Sequence, residues 1–489
     1  MKQKSIKLNM MLSIVKGLMA VLFPLITFPY VTKILGVENV GIYNFSNSIV
    51  NYLILVAGLG INSYAIREGA RIRDNVIDFE EFSSQMFSIN LYSSILAYVL
   101  MVLLLITIEK FESYYAYIII LSLQIIFKLL SVDWLYSIYE DYLYVTLRSI
   151  FVQLLSLILL FSLVKTTKDL YLYCYITVIA NAGSGILNFI HSRRYTTIHL
   201  TEKLDLKKHI KPIIVLFAMV VTTTIYVSSD TIIIGFICGD YEVGIYSVSV
   251  KVYSIVKSIL SSLLVVAIPR LSFYLGKNDE NSFNKLATEI YATLISFVLP
   301  AIVGIIILRK EIVLLLSDQS YLPASSSLAI LSIALFFCLG AWFWGQCILV
   351  PRKKEKTVFY ATIISAITNI VLNIIFIPMC KSNAAAMTTV IAEAIVFFIC
   401  MLYGKKESRI GSCINIYIKV GIGCLCIAFA CKICRGFFLN NTLYIVISII
   451  TSVIIYLIVE LLLHNEPIQS FSKSIVNRVV TILRRNTHG

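Results

Sequence analysis

Charge is what this chain has least of. Only 14% of its 489 residues are Asp, Glu, Lys or Arg, against 59% hydrophobic, and the mean hydropathy is +0.88. An ordinary soluble domain carries about a quarter of its residues charged, so a water-soluble globular fold is excluded. Histidine is scarcer still. His191, His199, His209, His464 and His488 all fall in connections or the tail, which leaves no histidine relay for protons within the apolar segments. Neither G-x-x-x-x-G-K-[ST] nor G-x-G-x-x-G occurs, so the chain lacks the phosphate cradles of nucleotide enzymes. The cysteines are scattered, apart from Cys424, Cys426, Cys431 and Cys434. With no His or acid beside them they read as small apolar packing residues rather than metal ligands, and no disulfide is expected. A cleavable leader is also unsupported. The first apolar run is too long, contains Pro24, Pro29 and Lys33, and has no small-residue cleavage site.

What is present is a series of apolar stretches of about 20 residues, each long enough to cross a hydrocarbon layer as a helix. Fourteen are expected, near 11–34, 41–64, 84–108, 115–139, 143–164, 169–190, 210–238, 243–268, 284–308, 322–350, 357–379, 383–403, 412–435 and 442–463. The formal charge of +14 follows their alternation. Basic residues collect on every second connection, as at Arg67, Arg71 and Arg73, at Lys203, Lys207 and Lys208, and at Arg352, Lys353 and Lys354. The positive-inside bias then puts both termini in the cytoplasm. This basicity fits anionic membrane lipids and not nucleic acid.

The sequence repeats itself. Gly36-Val-Glu-Asn-Val-Gly-Ile-Tyr43 is answered by Gly239-Asp-Tyr-Glu-Val-Gly-Ile-Tyr246 at an offset of 203, which also aligns Arg67 with Arg270. Six spans separate the copies, so the two halves enter the membrane in the same direction, as in transporters with parallel repeats. The expected organisation is a six-helix lobe over 1–190, a charged cytoplasmic linker at 191–211, and a second six-helix lobe over 212–405. Two additional transmembrane helices at 406–463 and a basic amphipathic cytoplasmic tail at 464–489 complete it.

Polar residues inside the spans are unusual, because each costs free energy in lipid unless it finds a partner or water. At helical spacing Asn44, Asn47, Ser48 and Asn51 share one sector of the second span. Ser247, Lys251, Ser254, Ser258, Ser261 and Ser262 form the matching stripe of the eighth, with Ser48 aligned on Lys251. Interhelical hydrogen bonding is one reading of such a stripe. A water-filled cavity is the other, and the lysine favours it. Further charges at membrane depth are Lys16, Lys128, Asp133, Arg148, Asp230, Lys257, Glu393 and Glu460. The excess of cations suits an anionic substrate. The candidate cavity set is therefore Asn44, Asn47, Ser48, Asn51, Lys128, Ser247, Lys251, Ser254 and Lys257, with Asp133, Asp230 and Glu393 as coupling or ion-pairing acids. The structural alternatives are a Lys128–Asp133 pair and snorkelling of Lys16, Arg148 and Glu460 to an interface. At the margins, residues 67–84 read as a segment along the inner membrane surface. Phe471, Ile475, Val479, Ile482 and Leu483 read as the apolar face of an interfacial tail helix.

ILGVENVGIYNFSNSIVNYLILVAGLGINSYAIREGARIRD, VDWLYSIYEDYLYVTLRSI at 132–150, GQCILVPRKKEKTVFYATIISAITNIVLNIIFIP at 345–378 and AAAMTTVIAE at 384–393 together resemble the bacterial polysaccharide transporter family, the lipid-linked oligosaccharide flippases. The resemblance covers nearly all of the chain to about residue 405. One departure is CKSN at 380–383, where members often carry a glycine-rich turn. It implies an all-α polytopic membrane protein with two parallel six-helix lobes around a central cavity, in the superfamily of multidrug and toxin extruders. It further implies a non-enzymatic flippase for an undecaprenyl-diphosphate-linked glycan, destined for capsule, O-antigen or another surface polysaccharide, in the bacterial cytoplasmic membrane. Other polysaccharide assembly proteins are possible partners, no cofactor or metal is implied, and coupling to Na+ or H+ is open. A cation-coupled drug exporter would favour an acid-rich cavity. A polysaccharide polymerase or ligase would need a large external loop, and the external connections here are only a few residues long.

Overall fold

The structure is a computed structural model that describes residues 6–437, 441–470 and 472–473. The side chain of Lys16, and Phe471, Ile475, Val479, Ile482 and Leu483 of the expected tail helix, lie outside the described residues. The protein is an all-α multi-pass membrane protein. Among the described residues, eleven helical stretches are long and apolar enough to cross a membrane.

The chain divides into two compact units, residues 1–247 and 248–489. The first contains α1 (Ile6–Gly58), α2 (Ile61–Ile72), α3 (Val76–Thr107), α4 (Tyr115–Ser131), α5 (Asp133–Ile138), α6 (Tyr142–Leu163), α7 (Leu170–Ala182), α8 (Gly185–Ser192) and α9 (Leu206–Cys238). The division falls inside α10 (Asp240–Gly276). The second unit continues with α11 (Glu280–Ile307), α12 (Arg309–Leu316), α13 (Ala324–Trp342), α14 (Glu355–Glu407), α15 (Ile414–Phe437) and α16 (Asn441–Leu462).

Two helices each cover a pair of expected spans. In α1 the ladder is broken at Gly36 (φ 77°, ψ 172°), and in α14 at Lys381 (φ 51°, ψ −132°). Gly239 (φ 85°, ψ −176°) separates α9 from α10 in the same way. The two copies of the repeat therefore begin on the same backbone break. They also meet each other: a Cβ added at Gly41 would collide with the Asp240 carbonyl, and one at Gly244 with the Val37 carbonyl. Gly41 and Gly244 are repeat-equivalent, as are Val37 and Asp240, so the contact is reciprocal. Only glycine permits backbones to approach this closely.

In the first unit, residues 67–84 form a helical corner. Asn75 accepts from the Asp78 amide to cap α3, and the buried side chains of α2 pack on Phe79, Phe82 and Ile138. After α8 the chain runs without helix from Arg193 to Asp205 along α3. The His199 amide donates to Ser84 Oγ and the Thr201 amide to Ser88 Oγ. His209, at the start of α9, is buried between Tyr64 Oη (2.8 Å from Nδ1) and Gln85 Oε1 (3.0 Å from Nε2). Gln85 gives its amide N–H to Glu81, so its Oε1 accepts the His209 Nε2 proton and Nδ1 accepts from Tyr64. The ring is held neutral, and burial lowers its pKa.

Candidate functional site

α1 ends at Gly58, and Leu59 and Gly60 both take positive φ. The orphaned Ala57 carbonyl is capped by α3, from Asn90 Nδ2 at 3.1 Å and Ser93 Oγ at 2.5 Å. This broken helix end opens a cavity of about 260 Å³ within the first unit. Asn62, Asn90, Ser94, Lys128, Ser131 and Asp133 supply its polar lining, with Ile54, Ile61 and Trp134 among the apolar walls.

Lys128 and Asp133 share this cavity but do not form the salt bridge that is the structural alternative for them. Asp133 instead accepts from Ser131 Oγ (2.9 Å) and Asn188 Nδ2 (3.2 Å), and lies 3.7 Å from Arg148 Nη2. Val132 in the left-handed region (φ 38°) starts α5 and turns the carboxylate towards these groups. Arg148 does not snorkel. Its side chain is 8% exposed, and Nε and Nη1 are buried with no hydrogen-bond partner. Lys128 forms no salt bridge among the described residues, stays accessible and lines the cavity.

The stripe of the second span lies along one accessible face of α1, opposite buried Phe45, Ile49, Val50 and Leu53. Asn44 Nδ2 donates to its own helix at Val40 O (2.7 Å), Asn47 Oδ1 is buried without a partner, Ser48 is half-buried and Asn51 is exposed. None of the four lines the 260 Å³ cavity. Asp230 is buried and accepts from Tyr246 Oη at 2.8 Å. Ser247 bonds back to Gly244 O.

In the second unit, the stripe serines Ser258, Ser261 and Ser262 of α10 show no bond to another helix among the described residues. Ser258, Ser261 and Ser262 each donate to a carbonyl of their own helix, and Ser254 is exposed. The interhelical bond belongs to the neighbouring face, where buried Ser249 reaches Ala324 O (2.9 Å) and Ser327 Oγ (2.8 Å). Lys251 is half-buried on the stripe. Lys257 Nζ lies 3.8 Å from Glu393 Oε1, which also accepts from Tyr253 Oη at 3.2 Å. Half-buried Lys257 and buried Glu393 thus form a pair spanning α10 and α14.

Sequence reasoning missed Asn62, Asn90, Asn188 and the buried chain Thr388, Asn373, Asn369. Asn62, Asn90 and Asn188 are each the one asparagine of their helix, whereas Asn369 and Asn373 stand four apart on α14, a helical spacing that could have found them. Glu460, for which snorkelling to an interface is the structural alternative, is fully buried, accepting from Asn465 Nδ2 at 2.5 Å and packing against Gly423. The missing Cβ of Gly423 leaves the room. Among the described residues no group of His, Cys, Asp or Glu could hold a metal ion, and all eleven cysteines are free.

Residues 6–275 match the family model described as polysaccharide biosynthesis protein, and residues 213–375 match the MatE model. A protein described as an O-antigen transporter from Escherichia coli (strain K12) is 22% identical over 394 residues, 79% of this chain and 93% of that protein. The lipid II flippase MurJ of Thermosipho africanus (strain TCF52B) is 26% identical over 199 residues, 40% of each chain. Among solved structures, a lipid II flippase MurJ in an inward closed conformation superposes with a TM-score of 0.76 at 19% identity, covering 92% of this chain and 98% of that one. An inward-facing multidrug resistance MATE transporter superposes at 0.55 and 13% identity, covering 79% and 97%.

Proposed function

The chain belongs to the polysaccharide biosynthesis protein family, and from that premise we propose that it flips an undecaprenyl-diphosphate-linked oligosaccharide repeat unit across the bacterial cytoplasmic membrane by alternating access. The polar cavity of the first unit carries this reading, because it sets Lys128, with no salt bridge among the described residues, beside Asn62, Asn90, Ser94, Ser131 and Asp133. A diphosphate offers oxygens for charge-assisted bonds to an ammonium, and sugar hydroxyls match neutral amides. Arg148 lies behind Asp133 and supplies the charge that keeps the acid from neutralising this wall. Related proteins described as an O-antigen transporter and a lipid II flippase support a lipid-linked cargo. The protein is a transporter and not an enzyme. It lowers the barrier for a polar head to pass through lipid.

The distribution of basic residues supports a cytoplasmic location for both termini. Asp133, Asp230 and Glu393 are the candidate carriers of a coupling Na+ or H+. The MatE match over 213–375 favours a second reading, a cation-coupled drug exporter. Such a substrate calls for an acidic cavity, and here Lys257 neutralises Glu393 at 3.8 Å. The test is deletion of the gene with mass spectrometry of the lipid-linked glycans. Accumulation of an undecaprenyl-diphosphate oligosaccharide on the inner face is expected. Normal surface glycan with raised drug sensitivity would instead establish the exporter reading.

A further inference from the structure

A second polar site lies far along the chain from this cavity, at the end of the second unit where α14 passes into α15. The loop Ser408–Cys413 divides two cavities of opposite character. One, about 580 Å³, is lined by Glu289 and Glu466 with no basic residue. The other, about 620 Å³, is lined by Lys405 and Arg409 with no acid. Neither of these two cations has a salt-bridge partner among the described residues, whereas the neighbouring Glu407 is taken by Lys354 at 3.5 Å.

The basic cleft is built rather than incidental. Asn284 Oδ1 accepts from Ser408 Oγ (2.6 Å) and the Arg409 amide (3.1 Å), and Thr288 Oγ1 accepts from the Gly411 amide (2.9 Å). These bonds pin the loop to α11 and fix the Arg409 backbone at the rim. Gly404 lets the buried Trp344 indole lie across α14 as the floor, and a single π-helical segment, Phe343–Leu349, carries that tryptophan. Tyr291 and Tyr417, joined hydroxyl to hydroxyl at 3.1 Å, form the back wall. The cleft then opens between Phe398 and Ile414, which are 48% and 66% exposed on membrane-spanning helices.

An occupant must therefore be anionic at one end and apolar at the other. We propose that this cleft binds an anionic glycerophospholipid, with its phosphate between Lys405 and Arg409 and an acyl chain over Phe398 and Ile414. A basic pocket between transmembrane helices at the headgroup level is the chemistry by which such lipids are held. Aromatic side chains at the same depth suit the boundary between headgroup and chain.

The experiment uses the full-length protein in vesicles of equal phosphatidylglycerol and phosphatidylcholine, extracted into detergent and read by native mass spectrometry. Wild-type protein is expected to retain phosphatidylglycerol and not phosphatidylcholine. Each cation contributes about fivefold, so the Lys405→Gln/Arg409→Gln variant is expected to lose retention roughly thirtyfold. The Lys405→Arg/Arg409→Lys variant should restore it. Both positions are exposed, so the unfolding temperature without anionic lipid should not change. Equal retention by wild type and the Gln variant, or equal retention of phosphatidylcholine, would overturn the proposal. If millimolar inorganic phosphate raises the unfolding temperature as much as phosphatidylglycerol does, the site takes a free anion and the lipid assignment fails.

Discussion

Lys128 and Arg148 show how one chemical type takes different roles in the same few ångströms. Arg148 is buried beside Asp133, behind the residues that line the cavity, so Arg148→Leu leaves the carboxylate without its cation. Asp133 is itself 57% exposed and keeps its bonds from Ser131 and Asn188, so the substitution is expected to cost about 0.5–3 kcal/mol, read as reduced folded protein on a size-exclusion profile. Lys128 has no such structural partner. Lys128→Met is expected to leave membrane abundance unchanged while glycan export falls at least tenfold, measured by surface polysaccharide in the deletion strain. A drop in abundance equal to that of Arg148→Leu would assign Lys128 to the scaffold instead. His209 adds a pH dependence. Its folded pKa lies below the ordinary value of about 6.5 because burial disfavours the imidazolium. Lys208 lowers it further, while Asp205 and Glu68 act in the opposite sense. The unfolded chain therefore binds more protons below that value, and stability falls as pH drops through 6.5. Hydrogen-exchange protection of residues 196–210, corrected for the intrinsic exchange rate at each pH, should be weaker at pH 5.5 than at pH 7.5, and His209→Gln should flatten the difference.

Among the helices, the informative positions are those where the backbone leaves helical geometry. Gly36 and Gly239 do so without strain, but Lys381 occupies a region that side chains avoid. Here the CKSN departure from a glycine-rich turn becomes physical: a lysine is held where glycine is the usual residue. Such a conformation costs about 1–3 kcal/mol. Lys381→Gly is expected to raise the unfolding temperature in detergent, and a fall would mean that the lysine side chain outweighs the strain. The reciprocal contact of Gly41 and Gly244 makes the opposite prediction. Gly41→Ala and Gly244→Ala each place a methyl against a backbone carbonyl and should destabilise by about 1–3 kcal/mol. Gly304→Ala, where the added methyl meets nothing within 4 Å, should be silent.

For the molecule as a whole, the sequence by itself determined the membrane class, the helical content and the repeat. These follow from local rules: lipid forces every spanning backbone to satisfy itself within a helix, and apolar length is countable along the chain. The recurrence of Gly36 at Gly239 is legible along the chain, and the structure adds that the helix breaks at both. Tertiary structure decided which polar side chains face one another. It placed Arg148 rather than Lys128 against Asp133, buried Glu460 against Gly423, and paired Lys257 with Glu393 across 136 residues of chain. It also turned Ser258, Ser261 and Ser262 of α10 back onto carbonyls of their own helix and gave the interhelical bond to Ser249 on the neighbouring face. A periodicity shows that residues share a face but not what that face meets. In lipid the partner of each polar group is set by distance and geometry in three dimensions, and single amides such as Asn62, Asn90 and Asn188 leave no pattern in one.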